Sequence, residues 1–177
     1  MSTTAEPTAF FFAPFVSSPM RIEPEWIDYN GHLNMAYYAV LADRAVEEAF
    51  QVIGLGADYA AERRASVFTA EAHVNYRREL TVGDPVRATV QLIDFDDKRI
   101  HVYVELRHAE ETWLSATVET MNLHVSMEDR LVTPFPPDIL ANVAIMKAAH
   151  SGLPRPEALG RVIGLPPRAR PGKPGLH

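Results

Sequence analysis

The chain has 177 residues, of which 47% are hydrophobic and 23% charged, as expected for one globular domain with a sizeable core. Its formal net charge of −6, without any basic block, argues against nucleic acid as a partner. The absence of cysteine excludes disulfides, zinc–thiolate sites, iron–sulfur clusters and a cysteine nucleophile. No apolar run approaches the ~20 residues that span a bilayer, so no membrane association is expected.

The first segment, residues 1–14, is predicted to be a loosely ordered leader. Its apolar residues 10–12 follow an acidic residue and lack a basic region before them, which is unlike a signal peptide. We therefore expect a cytoplasmic protein. A short strand is predicted over 15–23, weakened by Pro19, and a polar loop over 24–34.

A long amphipathic helix is predicted from Met35 to Ile53, because apolar residues recur there at three- and four-residue intervals. Asn34 is a suitable N-cap and Gly54 a suitable stop. At 1.5 Å per residue the helix is about 28 Å long. A second short helix is predicted over 56–64.

Strands follow this helical region, because residues alternate with a period of two. Over 68–76, for example, Phe68, Ala72 and Val74 alternate with polar side chains. Further strands are predicted over 86–92, 100–106 and 113–127, joined by short turns as an antiparallel meander. A final helix covers 136–150, which closes a domain over 15–150, and residues 151–177 form an extended tail rich in Pro, Gly and Arg.

A long helix with one apolar face needs a sheet to bury that face. The sequence therefore predicts an α+β fold in which a curved antiparallel sheet wraps around one long central helix.

The polar loop before that helix concentrates groups that suit catalysis. Asp28, Asn30, His32 and Asn34 alternate immediately before the helix start. A helix N-terminus offers unpaired N–H groups that stabilise a carbonyl oxygen as it gains negative charge. The plainer interpretation is that Asp and Asn are common turn formers and that Asn34 is only a cap.

This loop and the predicted architecture resemble the hotdog-fold thioesterases, over roughly residues 20–138. Asp28-Tyr29-Asn30-Gly31 resembles the Asp-x-x-Gly of 4-hydroxybenzoyl-CoA thioesterases, which implies that Asp28 is the catalytic carboxylate and that a backbone N–H near Met35 binds the thioester carbonyl. The alternation from Asp28 to Asn34 is similar to that of plant acyl-carrier-protein thioesterases. The run from Trp26 to His32 is similar to bacterial betainyl-CoA thioesterases.

The resemblance implies an acyl-CoA thioesterase in which Asp28 is the base or nucleophile and Asn30 and His32 assist it. It implies no metal or cofactor beyond the coenzyme A of the substrate, and a homodimer or a dimer of dimers. Two alternatives stay open: a hotdog enoyl-CoA hydratase or dehydratase, and a non-catalytic acyl-CoA-binding protein. The acyl group, and the choice between coenzyme A and carrier-protein substrates, are also open.

Substrate-binding candidates fall into two groups. The aromatic residues Trp26, Tyr29 and Tyr38 are candidates for a wall around the acyl group or a cage for a quaternary ammonium, although core packing is the plainer interpretation of the helix aromatics. Gly31 of the loop is a further substrate-binding candidate. Glu71 and His73 share one face of a predicted strand. That face is solvated, part of a subunit interface that lines the site or, together with His32, part of a metal site.

Overall fold

The computed structural model describes residues 13–165. It contains six strands and three α-helices within that range: β1 Phe15–Val16, β2 Met20–Arg21, α1 Met35–Val52, α2 Ala57–Arg63, β3 Ala65–Tyr76, β4 Pro85–Phe95, β5 Arg99–His108, β6 Leu114–Ser126 and α3 Pro137–His150. Residues 1–12 of the predicted leader and 166–177 of the predicted tail lie outside the described residues.

Helix α1 forms where its apolar spacing predicts it, and it lies against the sheet. Its buried face includes Leu41, Ala42 and Ala45, each at most 2% exposed. Burying a large apolar side chain such as Leu41 stabilises a fold by about 1.5–3 kcal/mol. Helix α1 ends at Val52, Ile53 is its C-cap, and Gly54 follows with φ +88°, a left-handed conformation that favours glycine. The apolar spacing, the Asn34 cap and the Gly54 stop therefore located this element to within one residue.

The predicted first strand is divided in two. Phe15–Val16 and Met20–Arg21 both pair antiparallel with β4, and Pro19 lies between them. Proline cannot donate a ladder hydrogen bond, which explains the interruption.

The four long strands differ in order from the predicted meander. β4, β5 and β6 do pair consecutively, but β3 pairs with β6 and not with β4. The expected β3–β4 neighbourhood is therefore wrong. The edge of β4 that β3 would have used is occupied by β1 and β2. Residues 77–84 must consequently carry the chain from one side of the sheet to the other; we call them the crossing connection.

A β-bulge in β3 breaks its simple alternation. The register of β3 against β6 shifts between Thr69 and Glu71. Before the bulge, Thr69 pairs with the buried Asn122, on the helix side of the sheet; after it, Ala72 and Val74 face that side. Phe68 was predicted on the same face as Ala72 and Val74, but it lies on the other face and is 60% exposed. A bulge adds one residue and so reverses the faces.

The chain after α3 crosses the sheet face that is opposite to α1. The backbone N–H of Leu92 in β4 donates to His150 Nδ1, and Gln91 Nε2 donates to the Pro154 carbonyl. Farther along, the Gly160 N–H donates to Glu119 Oε2 on β6 at 2.7 Å. We call residues 151–160 the strap. They contain turns but neither helix nor strand.

The result is an open antiparallel sheet wrapped around one long helix, the α+β architecture that the sequence predicted. Within residues 13–165, no helix combines the length and the apolar character that crossing a membrane requires.

Candidate active site

The loop before α1 is closed by its own backbone. Asn34 donates its N–H to the Trp26 carbonyl at 2.9 Å, and Asp28 donates its N–H to the His32 carbonyl at 3.0 Å. Inside this closure, the Gly31 N–H donates to the Asp28 carbonyl at 3.0 Å, and Gly31 adopts φ +82°. The left-handed conformation is inexpensive only for glycine. The loop is therefore a tight turn that delivers the chain directly to the helix start.

The carboxylate of Asp28 is half-buried and is held by one oxygen. Its Oδ1 accepts the Asn30 N–H at 2.8 Å, an Asx turn. Among residues 13–165, no cation forms an ion pair with it, and Oδ2 accepts no hydrogen bond. One carboxylate oxygen is thus oriented while the other is available to a ligand.

The backbone N–H of Met35, the first residue of α1, has no acceptor among the described residues. The next two donors are occupied: Asn34 Oδ1 accepts the Ala36 N–H at 3.0 Å, and the Asn34 carbonyl accepts the Tyr37 N–H at 3.0 Å. Because the helix dipole is positive at this end, the Met35 N–H is suited to bind an oxygen that carries negative charge.

The crossing connection supports the loop from outside, a role that sequence reasoning missed. The Leu33 N–H donates to the Leu80 carbonyl at 2.8 Å, and the Leu80 N–H donates to Tyr38 Oη at 3.3 Å. His32 Nε2 lies 3.5 Å from Glu79 Oε1, an ion pair when the imidazole is protonated. No local sequence signal could have found these contacts, because they join segments that are far apart in the chain. Tyr38 and Leu80, for example, are 42 residues apart.

The last residue of β3 also reaches the helix start. Tyr76 Oη donates to the Met35 carbonyl at 3.1 Å, and its ring packs edge-on against Tyr38 at 5.0 Å between centroids. The loop, the helix start and the end of β3 therefore form one connected unit.

The three aromatic candidates occupy different environments. Trp26 is 7% exposed, stacks on Tyr37 at 5.2 Å and carries the Arg44 guanidinium 5.0 Å above its ring. Tyr38 is also buried, and that burial raises the pKa of its hydroxyl above the usual range. Tyr29 is 97% exposed. The structure thus brings Trp26 and Tyr38 into the core beneath the loop and leaves Tyr29 at the surface.

Glu71 and His73 are not joined to the loop within one chain. In the register of β3 and β6 they lie opposite Met121 and Glu119, on the face away from α1. No cluster of three or more His, Asp or Glu side chains able to hold a metal ion occurs within residues 13–165.

A cavity beside α1 is a further feature that the sequence did not indicate. It has a volume of about 300 Å³ and opens between α1 and the strands β3 and β6. Its lining is mostly apolar but includes four polar side chains: Ala39, Val40, Ala42, Val46, Ala72 and Val118, with Asp43, Thr69, Thr120 and Asn122. Thr69 Oγ1 donates to Asn122 Oδ1 at 2.9 Å, so two of these polar groups are bonded to each other.

Comparisons with known proteins agree with this geometry. Residues 22–143 match the family model of the thioesterase-like superfamily. A betainyl-CoA thioesterase of Pseudomonas aeruginosa is 40% identical over 144 residues, which cover 81% of this chain and 91% of that protein. A bifunctional L-carnitine dehydrogenase/betainyl-CoA thioesterase of Rhizobium meliloti is 31% identical over 84% of this chain, and the match spans 31% of that longer protein.

A Staphylococcus aureus protein solved in complex with CoA has the same fold, with a TM-score of 0.81 and 27% identity over 90% of this chain and 99% of that one. Together, these matches confirm the family that the loop motif indicated. The chain belongs to the thioesterase-like superfamily and is a thioester hydrolase of the hotdog fold.

Proposed function

We propose that this protein hydrolyses an acyl-CoA thioester to a free acid and coenzyme A, with Asp28 as the reacting carboxylate. The observation that carries the proposal is the pairing of two groups at one closed loop. Asp28 keeps an oxygen without a partner among the described residues, and the Met35 N–H at the other end of the loop is an unused donor. We propose that a thioester carbonyl bound at Met35 presents its carbon to that carboxylate.

Two routes use the same groups. In the first, Asp28 removes a proton from water, the resulting hydroxide adds to the carbonyl carbon, and the C–S bond breaks as the leaving thiolate takes up the proton from Asp28. In the second, Asp28 itself attacks, coenzyme A leaves, and water hydrolyses the mixed anhydride. In both, charge on the carbonyl oxygen is stabilised by the Met35 N–H and the helix dipole.

Asn30 and His32 assist Asp28 in this scheme. The Asn30 backbone orients one carboxylate oxygen, and His32, held beside Glu79, positions water or the carbonyl group. We propose no metal and no prosthetic group; coenzyme A enters only as part of the substrate.

The acyl group is proposed to lie along α1, toward the cavity of about 300 Å³. Betainyl-CoA is the first substrate to test, because it is the substrate in the name of the relative from Pseudomonas aeruginosa.

A homodimer, or a dimer of dimers, is the proposed assembly. β3 is twelve residues long, and its edge away from β6 pairs with no described strand. Residues 68–72 of this edge strand are exposed, with Glu71 as the one charged residue among them. Long uncharged edges associate readily, so pairing with a second β3 would satisfy the free backbone groups. Glu71 and His73 would then lie at the subunit boundary.

The test is a thiol-release assay with a panel of acyl-CoAs, comparing wild type with Asp28→Asn. We expect kcat to fall by ~10²–10⁴, the usual contribution of general base catalysis. Asp58→Asn, which alters an exposed carboxylate on α2, is the matched control and should retain activity. Rapid quenching followed by intact-mass measurement separates the routes, since an acylated Asp28 appears only in the second.

Two results would contradict the proposal. An Asp28→Asn enzyme with full turnover would remove Asp28 from the mechanism. Wild type that releases no thiol, but hydrates an enoyl-CoA or binds acyl-CoA without turnover, would favour one of the two alternatives.

A further inference from the structure

The strap continues into an exposed apolar segment. Val162 is 86% exposed, Ile163 85% and Leu165 95%. We call residues 162–165 the apolar tip. Three large aliphatic side chains this exposed within four residues are unusual for a surface that stays in water.

The path of the strap shows where the apolar tip is directed. The strap contacts β4 at Gln91, borders a cavity with Tyr103 of β5, and bonds to Glu119 of β6 through Gly160. It therefore crosses the sheet in the order β4, β5, β6. The next strand in that direction is β3, the edge strand.

The strap shields the strands that it crosses from solvent, but it ends before β3. Tyr103 lies on the face away from α1, yet it is only 3% exposed. On the same face of β3, Phe68 is 60% exposed beside Leu123 of β6. An exposed aromatic side chain on β3 and an apolar tip thus lie on the same side of the sheet, and both stay exposed within the described part of the chain.

We propose that the apolar tip of each subunit crosses the β3 edge and packs on the outer face of β3 in a second copy of this chain. Adjacent strands lie ~4.8 Å apart, so the partner's β3 is about 10 Å from β6. The five residues from Gly160 to Leu165 extend at most about 17 Å, which is enough to reach it. Because a two-fold axis repeats the contact, each dimer buries two tips.

A second copy fits better than another partner, because the tip leads directly to the edge at which the copies are proposed to pair. The inference rests on that proposed dimer but is independent of the catalytic role of Asp28. Its chemistry is apolar packing, which adds to the backbone pairing of the two edge strands.

Sedimentation equilibrium of a variant with Val162→Ser, Ile163→Ser and Leu165→Ser tests the inference. We expect the dimer dissociation constant to rise by about 30-fold or more, because apolar burial is lost from both tips. Ile145→Ser, which changes an exposed apolar residue on α3, is the control and should leave the constant unchanged. The tip is exposed in the single chain, so its substitution does not disturb the core.

A cross-link provides the second readout. The sequence has no cysteine, so Leu165→Cys creates one unique attachment point for a benzophenone photo-cross-linker. The expected product joins two chains, with the attachment on β3 of the other copy by mass spectrometry.

The outcomes separate the two proposals. Wild type that stays monomeric would overturn the proposed dimer and this inference together. A wild-type dimer whose dissociation constant is unchanged in the triple variant, or whose cross-links stay within one chain or lead to other strands, would overturn the tip contact and leave the dimer standing.

Discussion

Tyr76 Oη donates a 3.1 Å hydrogen bond to the carbonyl oxygen of Met35, and so joins the end of the edge strand to the first turn of α1. Met35 is also the residue whose N–H is free to bind a substrate oxygen. The peptide unit that follows Met35 is thus held by a strand that lies far from the loop in sequence. We expect Tyr76 to act as a positioning residue.

Tyr76→Phe should lower kcat by roughly three- to tenfold with little change in KM, because it keeps the ring packing on Tyr38 and removes one hydrogen bond worth about 1 kcal/mol. Steady-state kinetics and thermal unfolding measure the two effects. A rise in KM alone, or an unfolding temperature that falls in proportion to activity, would indicate a structural role only.

Two substitutions of Asn34 should separate its effect on helix stability from its effect on catalysis. Asn34→Ala removes the acceptor for the Ala36 N–H and should cost about 1 kcal/mol of unfolding free energy. Asn34→Asp keeps that acceptor and places a negative charge at the helix start, which favours the helix. The same charge opposes an oxyanion at Met35, so we expect Asn34→Asp to retain stability in urea titrations and to lose at least tenfold in kcat. An active Asn34→Asp enzyme would argue against an oxyanion site at this end of α1.

Gly31 and Gly83 have nearly the same backbone conformation, so Gly83 can serve as the control for a substitution of Gly31. They adopt φ +82° and +83°, and a Cβ at either would meet no atom within 4 Å. Alanine at each position should therefore cost a similar amount, about 1 kcal/mol, from backbone strain alone. Only Gly31→Ala should also reduce kcat, since Gly31 shapes the Asp28 turn. Equal activity losses in the two variants would contradict a specific role for this turn.

Tyr103 should contribute to the alkaline limit of stability. Burial, the largest cause, raises the pKa of its hydroxyl above the value of about 10 in an unfolded chain. The folded state therefore holds this proton more tightly, and its contribution to stability is complete below pH ~10 and is lost as pH rises through the folded-state pKa.

In urea unfolding measured from pH 8 to 11.5, Tyr103→Phe should show a shallower loss of stability above pH ~10 than wild type. Tyr29→Phe alters a hydroxyl that is 97% exposed, and should follow the wild-type curve. Coincident curves for Tyr103→Phe and wild type would show that this hydroxyl does not titrate with unfolding.

The elements that sequence reasoning located are those specified by local chemistry. α1 combines apolar spacing, the Asn34 cap and the Gly54 stop, each of which acts within a few residues. The Asp28 loop was likewise visible, because its turn formers lie within seven residues of one another. The placement of β3 beside β6 could not be predicted, because the alternation of a strand does not specify which strand it pairs with.

The bulge near Ala70 and the strap were missed for related reasons. One extra residue reverses the faces of β3 without changing its composition. The alternation of β5 could not indicate that Tyr103 is buried beside the strap, because the strap comes from a segment about fifty residues later. The supporting contacts of Glu79 and Leu80 also depend on the crossing connection, which only the true strand order creates.

The crossing connection has a practical consequence for recombining this chain with its relatives. Leu80 bonds to both Leu33 and Tyr38, and Glu79 faces His32, so the machinery consists of two segments separated by α2 and β3. A chimaera that exchanges residues 26–38 alone would combine a foreign loop with the native supporting residues at 76–80. Functional chimaeras should be those in which residues 26–38 and 76–80 come from the same parent.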